Sequence, residues 1–321
     1  MWPEKAGFND VNVLMVNRLG YREIDARFSL SGPSESMVQM YGRVKGSMVN
    51  LKTLQGDYYL NVENAPIVPW LPEGMRRFEH LELESAFGGV ELWGRVNQGV
   101  VHRITANVEL DDVVINNTQE LRQATLRKAE GVLQYRYLAE GEAQLVLNDF
   151  HMEHELFVWD PALLSLNIQR SGGSDPKKWT FDLLLDEINI APWVQYYIDF
   201  TAAESTGRDM LTHTSPQGIL QDVHLRATLQ EGQLDNMYAS AEVLDFAMLP
   251  YKFIPGVQNL HADFELNESL GFVSLHSDDL LLDYPALMRE KLQFDWFDAQ
   301  LQVKLSDENI VMETGLVALN N

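Results

Sequence analysis

Eight histidines are spread along the chain, and the closest pair, His151 and His154 in Phe150-His151-Met152-Glu153-His154-Glu155, has the residue types of a metal site. The spacing argues otherwise. Alternating polarity marks this stretch as a strand, and strand residues three apart point to opposite faces, so the two imidazoles cannot clamp one ion. Asp111-Asp112 and Asp278-Asp279 offer the carboxylates of a glycoside-cleaving dyad. Such a dyad needs two carboxyl groups roughly 5 to 9.5 Å apart across a cleft. Neighbours on a strand diverge, so each pair would need a partner from elsewhere. There is no cysteine, which removes thiolate zinc sites, disulfide frameworks and cysteine nucleophiles. Gly-x-Ser-x-Gly elbows, phosphate-binding loops and dinucleotide fingerprints are missing too. No residue is assigned a catalytic, cofactor-binding or metal-binding role, and the expectation is a non-enzyme that binds, spaces or transports.

The elements that would have to position any site are written in a two-residue period. Ile104, Ala106, Val108 and Leu110 alternate with Thr105, Asn107 and Glu109. Val223, Leu225, Ala227 and Leu229 alternate with His224, Arg226, Thr228 and Gln230; Leu260, Ala262, Phe264 and Leu266 with Asn259, His261, Asp263 and Glu265. Weaker runs lie near 38–44, 81–96, 132–138, 143–158, 180–190, 272–283 and 292–305. One wet and one dry face per strand is the pattern of antiparallel sheet; buried parallel strands are apolar on both faces. Leu54-Gln55-Gly56-Asp57, Gly88-Gly89, Asn97-Gln98-Gly99, Glu140-Gly141, Ser171-Gly172-Gly173-Ser174 and Gln230-Glu231-Gly232 punctuate the runs as hairpin turns. Helical signals are two: the composition of Thr118 to Lys128, and Pro192 opening a short helix through Trp193, Tyr196 and Tyr197. The predicted fold is mainly β, an elongated and twisted antiparallel sheet of repeating hairpins of about eight-residue strands, curled into a hydrophobic groove.

Charge narrows the partners. With 24 basic and 47 acidic side chains among 321 residues, the net charge is −23, the wrong sign for tracking nucleic acid phosphates or adsorbing to an anionic bilayer. Hydrophobic residues at 45% and charged residues at 22% are values of a globular rather than a disordered chain. No run approaches the roughly 18 to 20 apolar residues of a membrane helix. Met1-Trp2-Pro3-Glu4-Lys5 does not open a signal peptide. The last residues, Ala318-Leu319-Asn320-Asn321, follow a strand-like run with no closing signal, so the expectation is a single body, 1–321, cut from a larger protein, with repeat halves at 1–200 and 201–321.

Short proline and glycine punctuations recur in order. Val62-Glu63-Asn64-Ala65-Pro66 leads to Trp70-Leu71-Pro72, and Ile188-Asn189-Ile190 leads to Ala191-Pro192-Trp193. Then come Ser215-Pro216-Gln217-Gly218, Ile254-Pro255-Gly256-Val257 and Leu282-Asp283-Tyr284-Pro285-Ala286-Leu287-Met288. From about residue 50 to 305 this order resembles the AsmA-like envelope proteins, in particular their YhdP branch. The resemblance implies a periplasmic body tethered to the inner membrane through an anchor absent from this chain. It also implies a long curled β-sheet that carries phospholipid between inner and outer membranes along a hydrophobic groove, with envelope proteins meeting its ends and no catalytic residues or cofactor. Met288 stands where the family often has an aromatic.

Candidate groove-lining residues follow from the dry faces: Ile104, Val108, Leu110, Val223, Leu225, Leu229, Leu260, Phe264 and Leu266. The same side chains would pack the core of a closed β-sandwich equally well, with a carbohydrate-binding or glycoside-cleaving protein as the corresponding function; a structural envelope spacer is a third reading. What separates these is whether the dry face is covered by protein or left open.

Overall fold

A computed structural model of the chain describes residues 8–30, 36–47, 50–71, 76–78, 81–119, 122–155, 157–170, 178–200, 206–231, 233–305 and 310–320. The fold is antiparallel β, as the alternation requires. Contacts divide the chain into two compact units, Met1–Leu163 and Leu164–Asn321.

The first unit contains β1 (Phe8–Arg18), β2 (Tyr21–Leu30), β3 (Ser36–Lys45), β4 (Gln55–Pro66), β5 (Arg77–Phe78), β6 (Leu81–Asn97), β7 (Val100–Asn117), β8 (Arg122–Ala139), β9 (Glu142–His154) and the start of β10 (Val158–Arg170). Each strand pairs antiparallel with the next, except that β4 passes over the two-residue β5 to pair with β6. The turn between β6 and β7 shows why: Gln98 and Gly99 both take positive φ, 51° and 76°, the mirror-image turn whose twist matches a hairpin.

The second unit holds the rest of β10, then β11 (Lys178–Asn189), α1 (Ile190–Phe200), α2 (Thr206–Thr214), β12 (Gln217–Gln230), β13 (Gln233–Met248), β14 (Gly256–Asn267), β15 (Leu270–Asp283), β16 (Leu292–Leu305) and β17 (Ile310–Asn320). Again the pairing follows chain order. The short helix expected after Pro192 is α1, with Asn189 Oδ1 accepting from the Ala191 amide at 3.3 Å at its start. The helix α2 has no counterpart in the sequence reading.

Two expectations need correction. The described residues between Thr118 and Lys128 are not helical: Thr118 and Gln119 form a turn and Arg122 onward is the beginning of β8, paired from Arg122↔Asn117 to Lys128↔Asp111. Ala124 and Leu126 are buried while Gln123, Thr125 and Arg127 are exposed, a two-residue period that tertiary pairing rewards over helix propensity. Apart from β5 the strands are also longer than eight residues, reaching 17 in β6 and 18 in β7 and β8, so that Gly88-Gly89, expected as a turn, lies inside β6, and Gln55-Gly56-Asp57 is the first part of β4.

The cause of the second misreading is a repeated backbone kink. Asn64, Asp112 and Asp149 in the first unit, and Asp222, Asp245, Asn259 and Asp279 in the second, all lie inside strands with φ between 49° and 58°. Asp and Asn tolerate this left-handed conformation better than other side-chain-bearing residues. The ladders shift register at these points, between Val62 and Ala65, Glu130 and Val132, Gln221 and His224, Val243 and Phe246, and Gln258 and Ala262. A bulge leaves one residue unpaired, bends the strand and increases its twist. It also breaks the strict alternation, so one long strand reads as two short ones. In β14 and β15 the kinks adjoin, Asn259 Nδ2 donating to the Asp279 carbonyl at 3.1 Å.

Candidate functional site

Directly opposed residues of an antiparallel pair project to the same face, so the registers trace which side chains share a surface. In the first unit one such row runs Ala26–Met40–Leu60–Leu92–Ala106–Leu133–Leu147 across seven strands. The next row runs Phe28–Val38–Val62–Val90–Val108–Gly131. Over β2 to β6 this apolar face deepens into a cleft of about 650 Å³ lined by Ile24, Phe28, Val38, Met40, Leu60 and Val90, among others. Its floor is a small cluster, Leu30, Val38 and Ala65, with Phe28, Leu60, Val62 and Ile67 against it.

The second unit repeats the arrangement. Leu166–Leu183–Leu225–Ala239–Leu266–Gly271–Val303 form one row, and Ala241–Phe264–Val273–Leu301 lie in the neighbouring one. Within each unit the side chains named from the sequence share an apolar face. Val108 lies in the cleft's own row, Ile104 faces Gly94 and Tyr135, and Leu110 faces Gly88 and Ala129. Leu225 and Leu266 stand in one row; Val223 faces Leu185, Leu229 faces Trp179, and Leu260 faces Phe246.

These faces are not sealed. The buried apolar residues are small or few, alanine being the commonest, and the largest side chain below 2% exposure among the described residues is Ser36. Ile104, Val108, Leu110, Leu229, Leu260, Phe264 and Leu266 are only half-buried, and Leu225 is 41% exposed. In the core of a sandwich, facing side chains interdigitate to full density. Here each unit keeps a greasy surface along which an extended apolar ligand can lie.

The opposite faces are charged. Arg95 Nε reaches Asp57 at 2.6 Å, Lys128 Nζ reaches Glu130 at 2.6 Å, and Arg226 and His224 share Asp182 at 2.6 and 3.1 Å. At one end of the second unit, Tyr251 donates to Asp209 Oδ2 at 2.6 Å and its ring stacks on His213 at 4.4 Å. That hydrogen bond, helped by Lys252 and His213, holds the Asp209 carboxyl below its ordinary range. The contact fastens the β13–β14 connection to α2, together with the Leu249 amide donating to the Thr214 carbonyl at 2.7 Å.

The residues with chemical potential find other work. His151 lies near Glu153 at 3.4 Å whereas His154 stacks on Phe157 at 4.9 Å, so the two imidazoles go to different neighbours. Asp112 and Asp279, the second members of the paired aspartates, are kink residues with φ of 51° and 54°. Trp193 packs edge-on to Tyr196 at 5.9 Å. The Trp70 side chain, His80 and the turn Ser171–Ser174 lie outside the described residues. Among the described residues no three His, Cys, Asp or Glu gather as a metal site would need. Missed from sequence were the cleft residues of β2 and β4; Ile24, Ala26, Phe28 and Leu30, alternating with Asp25, Arg27 and Ser29, carry the period that would have found them.

No curated protein and no solved structure matches the chain. A family does: the YhdP protein family matches residues 5–321, wider than the 50–305 over which the punctuation carries the resemblance. The chain therefore belongs to the YhdP family of AsmA-like envelope proteins.

Proposed function

We propose that this chain is a lipid-conducting segment of the cell envelope, carrying phospholipid acyl chains along its apolar faces between inner and outer membranes and so supporting the outer-membrane barrier. In this reading it works in the periplasm as part of a protein tethered to the inner membrane. Phospholipid is its partner, with envelope proteins at the ends, and no catalytic step or cofactor is involved. The observation that carries it is the half-exposed apolar row in each unit, where a closed core would have buried the same leucines and phenylalanines.

The energetics suit a conduit. An uncovered Leu or Phe forgoes about 1.5 to 3 kcal/mol relative to full burial, so the face favours a hydrocarbon cover. An acyl chain leaving a bilayer for that face exchanges one apolar environment for another, at about 0.8 kcal/mol per methylene in both places. Net retention is weak, and the chain can move on. The headgroup stays in water at the margin, avoiding the cost of burying a polar group unpaired.

The test is site-specific photocrosslinking in cells, with a photoreactive residue at Leu225 or Val108 and the captured species identified by mass spectrometry. Phospholipid adducts are expected at both positions and not at outer-face Thr105 or Arg226. Leu225→Asp and Phe264→Asp should reduce capture in the second unit while the protein stays folded. Folded variants that capture lipid as well as the parent would overturn the assignment of these side chains, and absence of any lipid at either position would favour a spacer.

A further inference from the structure

The outer face of the first unit carries side chains for which lipid carriage has no use. Tyr41, Tyr59 and Trp93 stand in register on β3, β4 and β6. Tyr41 is 44% and Trp93 41% exposed, although their strand neighbours on this face are charged or polar. The Tyr59 and Trp93 rings lie 5.7 Å apart, tilted by 50°, and the Tyr59 hydroxyl is fixed by donating to Glu91 Oε1 at 2.9 Å.

Two residues along the same strands runs a charged row, Arg43–Asp57–Arg95–Arg103–Arg136. Asp57 engages Arg95 at 2.6 Å. Arg103 and Arg136 continue the row on β7 and β8, both exposed, and neither has an ion-pair or hydrogen-bond partner among the described residues. Like charges directly opposed across strands are destabilising. A chain with a net charge of −23 has ample carboxylates to separate them, yet three arginines adjoin. Beside them is a hollow of about 560 Å³ whose walls include Tyr41, Tyr59, Trp93, Arg103 and the paired Asp57 and Arg95, with Arg136 one strand beyond.

Exposed flat aromatics stack on the C–H faces of pyranose rings, and guanidinium forks bind carboxylate or phosphate in bidentate fashion. Adjacent strands are about 4.8 Å apart, comparable with the advance of one sugar unit in an extended glycan. We infer that this hollow binds an anionic saccharide, its rings stacked on Trp93 and the neighbouring tyrosines and its acidic substituents on Arg103 and Arg136. Single-stranded nucleic acid uses the same side-chain types, but a phosphate on every unit is repelled by the field of a strongly acidic protein. A glycan charged on some units meets the local arginines without that penalty.

Calorimetric titration of the whole chain at low salt, with a hyaluronan hexasaccharide, which carries a carboxylate on alternate units, and with cellohexaose and hexathymidylate as probes, tests the site. The hyaluronan hexasaccharide should bind, and cellohexaose and hexathymidylate should bind at least about tenfold more weakly, as expected when charge-assisted contacts and repulsion decide. The double variant Arg103→Glu/Arg136→Glu should lose about tenfold or more in affinity with an unchanged unfolding midpoint; Trp93→Ala should lose a similar factor and Trp93→Phe should recover part of it. Leu225→Asp, on the apolar face of the other unit, should bind the hyaluronan hexasaccharide like the parent, so failure of the lipid reading and failure of this one are separable. Equal binding of cellohexaose, tighter binding of hexathymidylate, no hyaluronan hexasaccharide binding at millimolar concentration, or binding indifferent to the two arginines would each overturn the inference.

Discussion

The two units share one surface and differ in the other. Each presents an apolar face assembled row by row from directly opposed side chains, Leu60–Leu92–Ala106–Leu133 in the first and Leu183–Leu225–Ala239–Leu266 in the second. The outer faces have little in common. The first sets aromatics beside adjoining arginines, whereas the second pairs histidines with aspartates, His224 with Asp182, His261 with Asp245 and His276 with Asp263. The lesson is that the dry face answers to one physical demand in both places, while the wet face is available for separate tasks. Within each apolar face there is a gradient of burial: Val38 is 5% and Met40 41% exposed in the first unit, Val223 7% and Leu225 41% in the second.

That gradient yields the largest expected effect. Val38→Asp would place a carboxylate in a packed apolar floor at a cost of several kcal/mol, and urea unfolding should show the first unit melting early. Leu225→Asp should cost under about 1 kcal/mol, because the new carboxylate can reach water, while removing lipid capture. If the two substitutions destabilise equally, burial along the face does not set the cost.

Kink residues test what the units have in common. Asp112→Ala and Asp279→Ala each force a β-carbon without a helpful polar group into the left-handed region, at about 1 to 2 kcal/mol. The glycine variants should be close to neutral, since glycine adopts positive φ freely. Matching penalties in the two units, read from chemical denaturation, would show the kink to be a common device. A loss with glycine as large as that with alanine would point instead to the carboxylate.

Outer-face pairs should matter least for stability. Arg226→Ala removes an ion pair with Asp182 whose arginine is half in solvent, so the change should be about 0 to 1 kcal/mol and shrink further in molar salt. The clasp at Asp209 should be visible only through pH. Its carboxyl titrates below the ordinary aspartate value, so its contribution is complete above the unfolded value of about 3.9 and is lost as pH falls through the lower, folded one. Hydrogen exchange at the Leu249 amide, bonded to the Thr214 carbonyl, should quicken in that range for the parent and show no such step in Asp209→Asn.

Much of this was legible in residue order. Alternation in 104–110, 223–230 and 259–266 placed nine side chains on the apolar faces they occupy, because period two leaves no other choice once one face is wet. Strand length was not legible, since an aspartate in the left-handed conformation advances the chain without advancing the ladder. The pairs Asp111-Asp112 and Asp278-Asp279 were set aside as an acid–base dyad because strand neighbours diverge, but only φ showed that the second of each bends the strand. Residues 118–128 misled for another reason: their composition favours helix, and only pairing with β7 reveals Ala124 and Leu126 as one side of a strand. The open condition of the apolar faces was beyond sequence, because half-exposed and fully packed leucines are spelled alike.

The in-strand aspartates and asparagines make curvature a property that travels with individual hairpins. Copying a hairpin during evolution copies its bend along with its strands. The number of strands in a face and the bend of each one thereby become independent quantities.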